Sequence, residues 1–133
     1  MSEFKGIFKE KQRQAKITEE YDKLLDLFST VGPDTMEQAA RLCQEAAFVR
    51  VMLLELRLII MRDGPIEEYQ NGPNQYGLKR STASDMYDKS IGQYMKLMAH
   101  IKKLLPAQPD NAAEVGELLD FIQAGVNQSG HNI

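Results

Sequence analysis

The chain has 133 residues, of which 43% are hydrophobic and 26% are charged, proportions that are ordinary for a globular protein. This length indicates one domain, with a modest core that oligomerisation would supplement. The net charge of −3 argues against nucleic-acid binding through overall charge, so any such contact needs a local basic patch.

The single cysteine, Cys43, excludes an internal disulfide and a cysteine-rich zinc site. Its Ala and Leu neighbours predict a small buried core residue rather than a reactive thiol. No N-terminal apolar stretch resembles a signal peptide. The longest apolar block, residues 51–61, is too short to cross a bilayer and contains Glu55 and Arg57. We therefore expect a cytosolic protein that makes no membrane contact.

Basic and acidic residues form alternating blocks along the chain. Residues 1–16 carry five basic and two acidic residues, whereas residues 17–45 carry two basic and seven acidic ones. Residues 79–103 carry six basic and two acidic residues, and the tail from residue 104 on has four acids and no Lys or Arg. Such alternation is typical of a protein that contacts several partners.

The N-terminal third predicts an arm followed by a helix. Residues 1–16 show little hydrophobic periodicity, which indicates a basic arm that is either mobile or a loosely formed helix. A clearer helix begins at Thr18, and its apolar positions share one face: Ile17, Tyr21, Leu24, Leu25 and Phe28. The sequence Val31-Gly32-Pro33 ends it.

A second, long helix is the strongest pattern in the chain. It is predicted to be capped by Asp34 or Thr35 and to end at Asp63, before Gly64. From Val49 to Met61 it is apolar in nearly every direction, and such a helix must be buried all round. Either the chain's own helices wrap it or other subunits cover the surplus face, and we favour other subunits. The predicted interface residues are Val51, Leu54, Leu58, Met61, Tyr94 and Met98.

A connector, residues 65–80, follows; its Asn71-Gly72 pair favours a turn, and a short β-hairpin there is one interpretation. A third helix is predicted from Ser81 or Thr82 to Pro106. Gly92 within it costs about 1 kcal/mol relative to Ala, which we attribute to close packing against another helix. A fourth helix is predicted at about residues 111–124.

The sequence contains little that predicts chemistry. It has neither a Gly-rich phosphate loop nor a Gly-x-Ser-x-Gly nucleophile turn. His100 and His131 are isolated, and the acid pairs Glu67-Glu68 and Asp85-Asp88 are explained by solvation or helix capping. We therefore expect no enzyme activity, catalytic residue, metal or cofactor.

Two basic clusters are candidate DNA contacts. The first comprises Lys5, Lys9, Lys11, Arg13 and Lys16, and the second comprises Lys79 and Arg80, with Lys89 and Lys96 on the next helix. For any single charge, a solvated surface is the simpler interpretation. In a closed ring, however, each cluster recurs once per subunit and becomes a continuous positive track for DNA phosphates.

One family resembles this chain over about residues 34–106. The matching features are the long apolar helix, the turn near Gly64, the segment Tyr69–Ala83 with its Gly/Asn-rich loop and Lys-x-x-x-Ala stretch, and the closing Ile101–Pro106. Together they resemble small terminase subunits of tailed bacteriophages. Members often have Pro where this chain has Thr82, and Ser and Arg where it has Ala107 and Gln108.

The resemblance implies a specific function. Small terminase subunits form rings of roughly eight to twelve copies, recognise double-stranded viral DNA, and recruit and regulate the large terminase ATPase-nuclease during genome packaging in the host bacterial cytoplasm. The implied fold is all-α: a long antiparallel helical hairpin core with short flanking N- and C-terminal helices, in an oligomeric ring. The implied division is a basic N-terminal arm (1–16), a helical oligomerisation domain (17–106), and a C-terminal helix with a flexible tail (107–133).

Two other functions remain open from the sequence. One is a small phage or plasmid transcription regulator with a helix-turn-helix, although the acidic block at residues 17–45 disfavours it. The other is a helical adaptor that binds only protein.

Overall fold

The computed structural model describes residues 6–106 and Ile122, and this part of the chain contains three helices and two strands. In chain order the elements are α1 (Glu10–Asp26), α2 (Pro33–Asp63), β1 (Ile66–Gln70), β2 (Tyr76–Arg80) and α3 (Thr82–Leu104). The fold is mostly helical, as predicted, and the two-stranded antiparallel sheet is an addition to the predicted all-α class.

Helix α1 begins eight residues before Thr18, the predicted start. The side chain of Gln12 accepts a hydrogen bond from the backbone N–H of Lys9 at 2.9 Å, and Glu10 places an acid in the first turn, where it complements the helix dipole. Most of the predicted basic arm that the structure describes is therefore helical, and residues 10–16 form the first two turns of α1.

Helix α2 is bounded by residues suited to helix ends. Gly32 precedes it and Pro33 occupies its first position, where the missing N–H of proline costs nothing; the helix thus starts slightly before the predicted Asp34 or Thr35 cap. Gly64 ends it with a φ of 88°, a conformation that glycine adopts without strain, and donates its N–H to the Ile60 carbonyl at 2.7 Å.

The connector forms a β-hairpin, the interpretation left open from the sequence. Ile66 pairs with Arg80 and Gln70 with Tyr76. The intervening loop is closed by a hydrogen bond from the Asn71 N–H to the Gln75 carbonyl at 2.8 Å, and Gly72 supplies the positive φ of 116° that the turn needs.

Helix α3 starts where the sequence predicts. The Ser81 hydroxyl accepts a hydrogen bond from the Ser84 N–H at 3.1 Å, which caps the helix. No other described helix of this chain packs closely against Gly92: the residue is exposed, and a side chain added there would meet no neighbouring element within 4 Å.

Helix α2 is the central element, and both α1 and α3 pack against it. The β-hairpin brings the end of α2 beside the start of α3, and Arg57 of α2 contacts Tyr87 of α3, so the two packed helices run antiparallel away from the connector. The core joins all three helices, and its members include Leu24, Phe28, Ala39, Cys43, Ala46, Leu53, Tyr94, Met98 and Ile101. Burial of Cys43 confirms the core prediction.

The predicted fourth helix and C-terminal tail lie outside the described residues, except for Ile122. The Ile122 side chain is buried and belongs to the core cluster.

Candidate functional site

A group of exposed apolar side chains lies at the end of the molecule where α2, the β-hairpin and α3 meet. Four of them define what we call the hairpin patch, namely Met61, Ile66, Tyr76 and Leu78. Met61 is 76% exposed and Leu78 is 74% exposed, although large apolar residues of this kind are usually buried. This patch is the candidate contact surface of the protein.

The strand register places three patch residues on one face of the sheet. Because paired residues share a face and successive residues alternate, Ile66, Leu78 and Tyr76 project to the same side. Ile66 and Leu78 are diagonal neighbours across the two strands, while Tyr76 and Leu78 are two residues apart on β2. The three side chains therefore form a continuous apolar surface.

The hairpin is fastened to the start of α3 by polar contacts. The Pro65 carbonyl accepts a hydrogen bond from the Ser81 N–H at 2.8 Å and another from the Ser84 hydroxyl at 3.4 Å. On the other face of the sheet, the Glu67 carboxylate accepts from the Thr82 hydroxyl at 3.2 Å and pairs with Lys79. These contacts hold the hairpin patch in a fixed place and leave its apolar side chains outward.

The six predicted interface residues fall into three groups. Val51, Tyr94 and Met98 are buried within the chain itself, with exposed fractions of 3%, 2% and 0%, so they present no surface to a second subunit. Leu54 and Leu58 are half-buried. Among the six, only Met61 is strongly exposed.

The apolar half of α2 is covered mostly by the chain's own elements. Val51, Leu53, Leu56 and Ile59 are all buried. This agrees with the alternative prediction, in which the chain's own helices surround α2. The sequence pattern does not distinguish a helix covered by its own chain from one covered by other subunits. Helical periodicity shows that a face is buried, but not which polypeptide covers it.

One carboxylate inside this covered region organises the N-terminal segment. Glu55 of α2 accepts hydrogen bonds from the backbone N–H groups of Ile7 at 2.8 Å and Phe8 at 2.9 Å, and from two nitrogens of Arg13, each at 2.8 Å. The hydrogen bonds from the Arg13 guanidinium and from the two backbone N–H groups lower the pKa of Glu55 from 4.5 to about 2, although burial alone would raise it. No local sequence pattern predicts this pairing, because Arg13 and Glu55 are 42 residues apart.

Three of the predicted DNA-contacting cations are paired within the chain. Arg13 binds Glu55 in a bidentate contact. Lys79 pairs with Glu67 at 3.2 Å and holds the pKa of that carboxyl below its usual value. Arg80 pairs with both Asp85 and Asp88 of α3. The acid pair Asp85 and Asp88 thus serves as an internal counter-charge.

The remaining predicted cations differ in their surroundings. Lys9 and Lys11 are exposed at the start of α1, and the Lys16 ammonium lies 4.9 Å from the centre of the Phe8 ring, a cation–π contact. Lys5 lies outside the described residues. In the first cluster, therefore, Lys9 and Lys11 face solvent, whereas Arg13 and Lys16 make contacts within the chain.

The described residues hold no group of three or more His, Cys, Asp or Glu side chains arranged to bind a metal ion. His100 is exposed on α3, and His131 lies outside the described part of the chain. Within residues 6–106, no helix combines the length and apolar character that a membrane span needs.

Comparison with known proteins found no relative of this chain. No protein-family model matches the chain, and no similar curated protein or solved structure was found. The basis for a function is therefore the geometry of the described residues together with the sequence resemblance.

Proposed function

We propose that this protein is a non-catalytic subunit that associates with copies of itself through the hairpin patch and binds double-stranded DNA, in the manner of the small terminase subunits that its sequence resembles. The observation that carries the proposal is the exposed apolar surface formed by Met61, Ile66, Tyr76 and Leu78. In this proposal the interface lies mainly on the connector, with Leu54 and Leu58 at its border.

The size of the hairpin patch supports self-association. The four side chains of the hairpin patch present on the order of 400 Å² of apolar surface. Because about 57% of an interface is apolar, this corresponds to about 700 Å² for each partner, close to the area of a standard stable complex.

The charge pattern of the patch suits a second copy of the same chain. Glu68 and Arg80 lie on the same sheet face as the apolar residues. A two-fold arrangement would bring Glu68 of one copy near Arg80 of the other. A ring of about eight to twelve copies, the number that the resemblance implies, instead needs a head-to-tail arrangement in which the hairpin patch contacts a different surface of the next copy. Such a ring would repeat every DNA-contacting cation around its circumference.

The partners follow from the same proposal. Double-stranded viral DNA would be bound by unpaired cations, and the large terminase ATPase-nuclease would be recruited in the bacterial host cytoplasm. The acidic C-terminal region, our candidate contact for the large subunit, lies outside the described residues.

A protein-only helical adaptor is the second candidate. It is favoured by the internal pairing of Arg13, Lys79 and Arg80, which reduces the charge available to DNA. Absence of DNA binding at low salt, with self-association intact, would favour the adaptor.

Substitution of Ile66 and Leu78 tests the proposed interface. The double variant Ile66→Glu/Leu78→Glu places charges in the patch without opening the core, because both side chains are already exposed. We expect its native mass, measured by light scattering, to fall to that of the monomer while its circular dichroism is unchanged.

Phe48→Glu is the matched control for this experiment. Phe48 is also an exposed large apolar residue, but it lies on α2 away from the patch. It should leave the assembly intact, and equal dissociation by Phe48→Glu and the patch variant would contradict the proposed interface.

A further inference from the structure

We infer that α3 carries the DNA-contacting surface, a lysine stripe formed by Lys89, Lys96 and Lys103, which would bind the phosphate backbone of a duplex. This inference rests on the DNA-binding part of the proposed function. The proposed contact lies on one face of α3. The arm residues Lys9, Lys11 and Arg13 and the connector residues Lys79 and Arg80 are not part of that face.

The spacing of the three lysines aligns them on one side of α3. Steps of seven residues fall about 20° short of two full helical turns, so the three side chains lie within about 40° of one another. Successive lysines are about 10 Å apart along the helix axis, which makes the stripe about 21 Å long. All three are exposed, as is His100, which lies between the last two.

The positive charge of the stripe is not neutralised by acidic residues on the same stretch of α3. From residue 89 to residue 104 the helix contains four lysines and neither Asp nor Glu. Elsewhere on the surface, Lys23 pairs with Glu19 and Arg41 with Glu37, whereas the stripe lysines have no ion pair within the described residues.

Arg80 has a supporting role in this arrangement. The two acids that precede the stripe, Asp85 and Asp88, are both engaged by the Arg80 guanidinium. The single positive charge of Arg80 therefore offsets one of these two negative charges at the end of the helix from which the stripe begins.

Gly92 supplies an independent observation at the same place. It is three residues after Lys89 and four before Lys96, so it borders the stripe, and it is exposed with nothing near its missing side chain. Glycine is unfavourable in a helix interior, and the chain's own packing does not require it here. A bare position between two lysines lets an extended phosphate backbone approach the helix closely.

The buried side of α3 distinguishes DNA from a membrane surface. A helix that binds membranes inserts its apolar face, but the apolar face of α3 is occupied in the core by Tyr94, Met98 and Ile101. What remains available is a row of regularly spaced cations in water. Measured along the duplex axis, one lysine step of about 10 Å corresponds to about three phosphates of a strand, for which the axial rise is about 3.4 Å.

Two triple variants with the same loss of charge test this assignment in the full-length protein. Lys89→Gln/Lys96→Gln/Lys103→Gln removes the stripe, and Lys9→Gln/Lys11→Gln/Lys16→Gln removes the arm lysines. Binding of a labelled duplex is measured across a salt series. The stripe variant should lose roughly tenfold or more in affinity at low salt, and its slope of log affinity against log salt should fall by about 3, whereas the arm variant should lose clearly less on both measures.

A charge-neutral variant separates local contact from general electrostatics. Gly92→Gln fills the bare position without changing net charge. Because glutamine favours helix over glycine, the variant should melt at a higher temperature than the wild type and yet bind the duplex more weakly. Unchanged affinity in Gly92→Gln would overturn the close approach proposed at this position.

The outcomes separate this inference from the proposed function. If the wild type binds DNA and the stripe variant binds equally well, or if the arm variant loses as much, the stripe is wrong and DNA binding stands. If the wild type binds no duplex at low salt, DNA binding itself fails. Binding to phosphatidylserine vesicles or polyglutamate in preference to the duplex would overturn the choice of DNA.

Discussion

Glu55 holds the segment before α1 and the first turn of α1 against the central helix. Its carboxylate receives four hydrogen bonds, two from backbone N–H groups and two from Arg13, although it lies within the most apolar part of α2. A buried carboxylate without these donors would carry a large desolvation cost. The segment before α1 is therefore positioned by one side chain of the central helix.

The pH dependence of stability should reveal this carboxylate. Its pKa is about 2 in the folded chain against 4.5 in the unfolded one, so its contribution is complete above pH 4.5 and is lost as the pH falls toward 2. Replacing Glu55 with Gln should lower the free energy of unfolding by about 2 kcal/mol at neutral pH. Urea denaturation at several pH values should show the difference from wild type shrinking below pH 4.5; a difference independent of pH would contradict this role.

Cys43 provides a second prediction at the residue scale. Burial raises the pKa of its thiol to about 11, so little thiolate forms at neutral pH and reagent access is blocked. The native protein should resist labelling by a disulfide reagent, and the same protein in urea should react fully. Rapid stoichiometric labelling under native conditions would show that the core around Cys43 is open.

At the scale of elements, Ser81 joins the β-hairpin to α3. It caps the helix through its hydroxyl, and its N–H donates to the Pro65 carbonyl on the far side of the hairpin. Ser81→Ala should lower the free energy of unfolding by about 1 kcal/mol, as loss of an N-cap does elsewhere. Ser29→Ala, at an exposed position away from the β-hairpin, is the control and should change it by less than about 0.5 kcal/mol. Equal effects of the two changes in thermal unfolding would contradict the capping role.

Local sequence signals predicted some elements well. Gly64 and the capping Ser81 mark the end of α2 and the start of α3, because these residues act through backbone groups one to four positions away. The start of α1 was missed, because the contacts of its first turns with Glu55 are remote in sequence. The sequence also does not predict which face of the β-hairpin is exposed, because the alternation of polar and apolar residues over five-residue strands is too short to show it.

At the scale of the whole molecule, burial within the chain changes where self-association is expected. The apolar surplus of α2 from Val51 to Ile59 is largely satisfied by α1, α3 and the N-terminal segment. What remains uncovered is concentrated at one end, on Met61 and the β-hairpin. The lysine stripe occupies the outer face of α3, so the proposed subunit contact and the proposed DNA contact use different surfaces.

The native mass of the wild-type protein, measured by light scattering over a range of concentrations, tests self-association most directly. We predict a mass several times the 15.1 kDa of one chain, which Ile66→Glu/Leu78→Glu reduces to that of the monomer. A wild-type mass of 15.1 kDa at every concentration would contradict the proposal that the hairpin patch joins subunits.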